Sequence, residues 1–130
     1  MGTRCLTFVY NDNKQPILNL YRQYDGYPEG HGQELGEFLK GLEITNGISM
    51  QTKEKRTANG MGCLAAQLVA HFKNSVGGFY IHSIESKDCG QEYEYHVSDN
   101  SITVIKNCDD KIIYQGNWKN FSETDFSSVH

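Results

Sequence analysis

The sequence predicts an α+β fold: a two-layer domain in the order ββααββββ, with a mainly antiparallel sheet of about six strands and two helices on one face. Three observations lead there. Segments that alternate apolar and polar residues lie at both ends of the chain, two before residue 25 and four after residue 78. Two stretches between them carry apolar residues at helical spacing. Short turns of Asn, Asp and Ser join the later strands, as antiparallel neighbours allow.

Residues 4–10 alternate, with Arg4, Leu6, Phe8 and Tyr10 on one face and Cys5, Thr7 and Val9 on the other. Asn11-Asp12-Asn13-Lys14-Gln15-Pro16 is turn chemistry, and residues 17–24 follow as the second strand of a hairpin. Leu18, Leu20, Arg22 and Tyr24 share a face there, which sets a guanidinium in line with apolar neighbours. Leu35, Phe38, Leu39 and Leu42 predict a first helix over about residues 32–42, with Glu34 and Glu37 near its dipole-positive start.

Residues 43–59 are polar and read as a long loop. A second helix is expected over 60–73, with Met61, Leu64, Ala65, Leu68, Val69 and Phe72 facing inward and Asn59 as its N-cap. Strands are then expected at 79–84, 92–97, 102–106 and 111–115, forming an antiparallel meander. One domain covers residues 1–121, and 122–130 is expected as a polar, loose tail.

Composition narrows the function classes. At 130 residues the chain can bury one core without metal or disulfide staples, and eight Tyr with six Phe make it too aromatic for disorder. Twelve Lys and Arg face sixteen Asp and Glu, for a net charge of −4, which disfavours duplex nucleic acid as a partner. No apolar run approaches membrane-spanning length, so no membrane partner is expected. Cys5, Cys63, Cys89 and Cys108 form no C-x-x-C pair and follow no signal peptide, so free thiols in a reducing cytoplasm are expected. The sequence leaves homo-oligomerisation open.

The densest cluster of chemistry runs from Arg22 to Gly32, with Tyr24, Asp25, Gly26, Tyr27, Pro28, Glu29, Gly30 and His31 between. Asp25-Gly26-Tyr27-Pro28 reads as a rigid turn in which Gly26 supplies a positive φ. Both helices open on Gly-x-Gly: Gly30-His31-Gly32 and Gly60-Met61-Gly62. Exposed amides at such starts suit an anion, and side-by-side parallel helices would direct both starts to one region. Glycine also serves plain turns. Arg22 can clamp a phosphate, or pair internally with Asp25, Glu29 or Glu34. Tyr24 and Tyr27 can cover a base or sugar, or pack as ordinary rim aromatics. His31 is the candidate acid–base group, oriented by Asp25 or Glu29, against a capping or surface role. No metal or cofactor is expected: H-E-x-x-H, Cys/His ligand spacing, a Walker loop and G-x-S-x-G are all missing.

Tyr21-Arg22-Gln23-Tyr24-Asp25-Gly26-Tyr27-Pro28-Glu29-Gly30 resembles a motif of a group of small proteins widespread in bacteriophages and bacteria. The start, Met1-Gly2-Thr3-Arg4-Cys5, and Gly60-Met61-Gly62-Cys63-Leu64-Ala65-Ala66 resemble the same group. The resemblance covers about the first two-thirds of the chain. It implies a phage or prophage origin, hence the cytoplasm of a host bacterium, and assigns no activity.

The leading expectation is a non-enzymatic binding protein for a small phosphorylated ligand, a nucleotide above all. Arg22 and the two starts Gly30-His31-Gly32 and Gly60-Met61-Gly62 would hold phosphates and Tyr24 and Tyr27 would cover the base or sugar, with Asp25 and Asn59 also among the expected ligand-binding residues. By analogy with other small phage proteins, the role would be to sequester a host nucleotide signal. One alternative is a small hydrolase or lyase using His31 with Asp25 or Glu29. The other is a protein-interaction module that blocks a host protein through its acidic surface and the 43–59 loop.

Overall fold

In the computed structural model, which describes residues 2–45 and 57–126, the alternating segments build one six-stranded sheet. The elements in chain order are β1 (Cys5–Tyr10), β2 (Pro16–Arg22), a π-helical turn (Pro28–Gly32), α1 (Gln33–Leu39), β3 (Glu43–Thr45), β4 (Thr57–Asn59), α2 (Gly60–Phe72), β5 (Phe79–Ile81), β6 (Tyr93–Ser98), β7 (Ser101–Lys106), β8 (Lys111–Asn117) and α3 (Trp118–Ser122). The sheet order is β5-β2-β1-β6-β7-β8. All of its pairings are antiparallel except one: β1 and β6 run parallel, with Phe8 opposite His96. The fold is thus the α+β class that the periodicities predict.

The main core lies between the helices and one sheet face. Cys5 and Val9 of β1, Leu18 and Leu20 of β2, Tyr95 and Val97 of β6 and Ile102 and Val104 of β7 meet Leu35 and Leu39 of α1 and Leu64 and Leu68 of α2. A fully buried Leu, Ile, Val or Phe of this kind contributes about 1.5–3 kcal/mol relative to exposure. β1 is buried on its other face too, at Leu6 and Phe8, so its apolar run is nearly continuous. The segment after β5 covers that side near β2: Asn19 Nδ2 donates to the carbonyls of Ser83 and Ser86 at 2.9 and 3.0 Å.

Several expectations change. β5 is not the first strand of the meander; it returns to the free edge of β2, and only β6, β7 and β8 form a meander. The ends of the expected 43–59 loop are the parallel pair β3–β4, while residues 46–56 lie outside the described residues, so the surface expected there is undescribed. The first helix is shorter than expected, mostly at its far end: it begins one residue late, after the π-helical turn, and stops at Leu39, shortly before Gly41 takes a left-handed φ of 72°. Asn59 precedes α2 without a capping bond from its side chain. Phe126, in the segment read as a loose tail, is 5% exposed and packs on Phe121 of α3. No helix among the described residues is long and apolar enough to cross a membrane.

Candidate functional site

The strand-to-helix corner at residues 22–32 folds into a closed structural network. Arg22 ends β2 on the core face and is 9% exposed. Its Nη1 and Nη2 donate to Glu34 Oε2 and Oε1 at 2.9 and 3.3 Å, and its Nε donates to the carbonyl of Tyr24 at 2.6 Å. Its guanidinium carbon also stands 4.9 Å from the centre of the Phe79 ring. Of the three carboxylates the sequence offered, Glu34 is the partner. A guanidinium forked onto a carboxylate has spent the donors a phosphate would use.

His31 is fully buried. Its Nδ1 accepts from Arg22 Nη1 at 3.2 Å, so its Nε2 carries the proton and donates to Thr7 Oγ1 at 2.7 Å. Burial, reinforced by the Arg22 charge, lowers its pKa to about 3. The ring packs edge-on to Tyr95 and tilted on Phe72. Its partners are therefore Arg22 and Thr7, not the carboxylates of Asp25 or Glu29, and the ring has no solvent access for acid–base work. The Tyr27 hydroxyl donates to Asp25 Oδ1 at 3.3 Å, and Glu29 is exposed on the π-helical turn.

The backbone of the corner is occupied as well. The Gly30 amide donates to the Tyr27 carbonyl, that of His31 to the Asp25 carbonyl, and that of Gln33 to the carbonyls of Gly30 and Pro28. Asp25, not Gly26, takes the positive φ, at 61°. Gly26 is required for closeness instead: a Cβ there would lie 2.8 Å from Cys5 Cβ and 2.9 Å from the Arg4 carbonyl carbon. Tyr24 is 54% exposed, whereas Tyr27 packs at the core edge.

The two Gly-x-Gly starts are not brought together. His31 touches Phe72, the last residue of α2, whereas Gly60 is the first, and a helix of that length spans about 20 Å. Asn59, Gly60 and Gly62 thus stand far from Gly30 and Gly32, and Met61 is buried in the core.

A different region has the shape of a site. Because β1 and β6 run parallel, their C-terminal ends lie side by side. The chain leaves β1 toward β2 and β6 toward β7, in opposite directions along the sheet. Connections that diverge in this way leave a crevice beyond the strand ends, the geometric reason for ligand sites at such switch points in open sheets. Here the crevice is a cleft of about 590 Å³ on the sheet face away from the helices. Tyr10, His96, Ser98, Ser101 and Thr103 form its floor; Asn11, Asp12, Lys14 and Asp99 form its rim.

Both turns framing the cleft are braced. Asn11 Oδ1 accepts from the amides of Asn13 and Gln15 at 3.0 Å, and Lys14 and Asn100 hold left-handed conformations at φ 62° and 59°. On the floor, Tyr10 Oη lies 2.6 Å from His96 Nδ1, and His96 Nε2 lies 2.9 Å from Glu94 Oε1. Glu94 Oε2 accepts from Asn107 Nδ2 at 2.7 Å and Gln91 Nε2 at 3.0 Å. The His96 hydrogen bond, helped by these two, outweighs burial and holds the Glu94 carboxyl at about 2. Burial and the Glu94 charge raise the Tyr10 phenol. Phe8, the partner of His96 on the adjacent strand, stacks beside the His96 ring at 5.1 Å with an 8° interplanar angle. A smaller cleft of about 310 Å³, lined in part by Phe8, Ile84, Lys87 and Ile105, opens on the other side of the same Tyr10–His96 pair.

Sequence reasoning missed this group. Glu94 and His96 were visible as the polar face of an alternating strand, where solvent is the ordinary partner. The period of two puts them on one face, but their neighbour Tyr10 is 86 residues away. Among the described residues no group of three or more His, Cys, Asp or Glu is arranged to hold a metal ion. No protein-family model matches the chain, and no curated protein or solved structure is significantly similar to it.

Proposed function

We propose that the protein is a non-enzymatic binding protein for a small hydroxyl-bearing ligand of the nucleotide class, held in the cleft between the β1–β2 and β6–β7 turns. The observation that carries this reading is the cleft itself, at the divergence of two parallel strands and within the size range of small-molecule sites. Its lining suits such a ligand. Asp12 and Asp99 can accept from ribose hydroxyls, Lys14 can meet a phosphate, and Ser98, Ser101 and Thr103 offer both donors and acceptors. The phosphate contact passes from Arg22, which Glu34 engages, to Lys14. Sequestration of a host nucleotide signal belongs to the same proposal and rests on the phage resemblance alone.

A thermal-shift screen of nucleosides and of linear and cyclic nucleotides tests the reading. A ligand-induced rise in melting temperature is expected, and it should be lost in the Lys14→Ala/Asp99→Asn double variant. No shift with any of these compounds, or a shift that survives in the double variant, removes the proposal. The Glu94–His96–Tyr10 chain gives specific support to a second reading, a hydrolase or lyase on the same ligand, because it couples a phenol to an imidazole held by a carboxylate. Mass spectrometry of the ligand after incubation separates the two: intact for binding, altered for catalysis.

A further inference from the structure

The hydrogen-bond chain in the cleft floor has its direction fixed at one end. An ionised carboxylate only accepts, and Glu94 accepts at both oxygens: Oε1 from His96, Oε2 from Asn107 and Gln91. The His96 proton therefore sits on Nε2. In the neutral ring Nδ1 then carries a lone pair, and the Tyr10 hydroxyl 2.6 Å away must donate to it. A phenol has one proton. With that proton committed to His96, Tyr10 turns only lone pairs toward the cleft.

We infer that Glu94 and His96 make Tyr10 an obligate hydrogen-bond acceptor in the cleft, so that the site selects a ligand with a hydroxyl at that point and discriminates against the analogue that lacks it. The inference rests on the cleft being the ligand site. Tyr10 is the specificity-determining side chain, and Glu94 and His96 are positioning residues that act through it. Phe8, the cross-strand partner of His96, stacks against its ring and holds it in place.

Two measurements test this on the intact chain. Long-range proton–nitrogen NMR of histidine-labelled protein at pH 7.5 should show the Nε2–H tautomer for His96 and a mixed population in Glu94→Gln; an Nδ1–H tautomer in the wild type overturns the inference. Calorimetry with adenosine and 2′,3′-dideoxyadenosine reads the selection. Tyr10→Phe should weaken adenosine about five- to tenfold, the loss of one hydrogen bond, and leave the dideoxy compound unchanged. If adenosine binds equally well to wild type and Tyr10→Phe, the inference fails while the cleft reading stands. If neither nucleoside binds, the selection falls together with the cleft reading, and the tautomer spectrum reports separately on the hydrogen-bond chain.

Discussion

His31 and Phe72 pack ring against ring, 4.9 Å between centroids and tilted by 30°. This contact ties the turn before α1 to the last residue of α2. It therefore opposes the start of one helix to the end of the other, and separates two glycine-rich starts that the sequence allowed to converge. The buried side of the same histidine receives Arg22, so the corner that looked like a ligand site is an internal brace.

That brace predicts a stability effect for Arg22. Arg22→Ala leaves the Tyr24 carbonyl, His31 Nδ1 and Glu34 without their donor, and should cost about 2–4 kcal/mol in urea denaturation. The side chain of Glu34 is 50% exposed and water can replace its partner, so removal of Arg22 should cost more than Glu34→Gln. Equal, negligible losses in both variants would show that the fork is a surface pairing.

His31 predicts a pH dependence. The unfolded chain takes up a proton on this ring near 6.5, whereas the folded ring resists until about 3. Its contribution is fully present above 6.5 and is lost as pH falls through that value toward 3. Between pH 7 and 5.5 the loss should be about 1 kcal/mol, measured by urea denaturation and absent in His31→Gln. Glu94 contributes in a lower window, between 4.5 and about 2, which overlaps the His31 window only below 4.5 and leaves the interval from pH 7 to 5.5 to His31.

The glycines divide into necessary and replaceable. Gly26→Ala drives a Cβ into Cys5 and the Arg4 backbone, atoms that cannot swing away, and should lower the melting temperature sharply. Gly62 sits inside α2 facing open space: a methyl group there would meet no neighbouring atom within 4 Å. Gly62→Ala should therefore stabilise by about 0.5–1 kcal/mol, read by urea denaturation. A destabilised Gly62→Ala would show that this helix start needs its bare backbone for another purpose.

The chain end predicts a core contribution. Phe126 closes over Phe121, which is fully buried, at a ring separation of 5.3 Å. Phe126→Ala should cost about 3 kcal/mol, and truncation after residue 121 at least as much, both read by chemical denaturation. Unchanged stability on truncation would put the domain boundary where the polar composition suggested.

Local pattern made much of the fold legible. Leu35, Phe38 and Leu39 declared a helix face, and Tyr93, Tyr95 and Val97 declared the buried side of a strand, because each face follows from the spacing of neighbouring residues. The same spacing put Arg22 on the core side of β2, and its charge made that position conspicuous. Spacing could not choose among Asp25, Glu29 and Glu34 as its partner. That choice depended on the π-helical turn, which sets the angle at which α1 begins.

The sequence by itself determined the six strands of the main sheet, the two longer helices, the faces these bury and that the class is α+β, whereas the short β3, β4 and α3 escaped it. Only the tertiary structure decided that β6 lies parallel to β1, that β5 crosses to β2, and that Tyr10 meets His96. The physical reason is range. Side-chain periodicity is a property of a few consecutive residues, whereas strand order comes from competition among distant apolar faces for one core. The cleft exists only as a consequence of that order, at the ends of two strands joined by 82 residues of intervening chain.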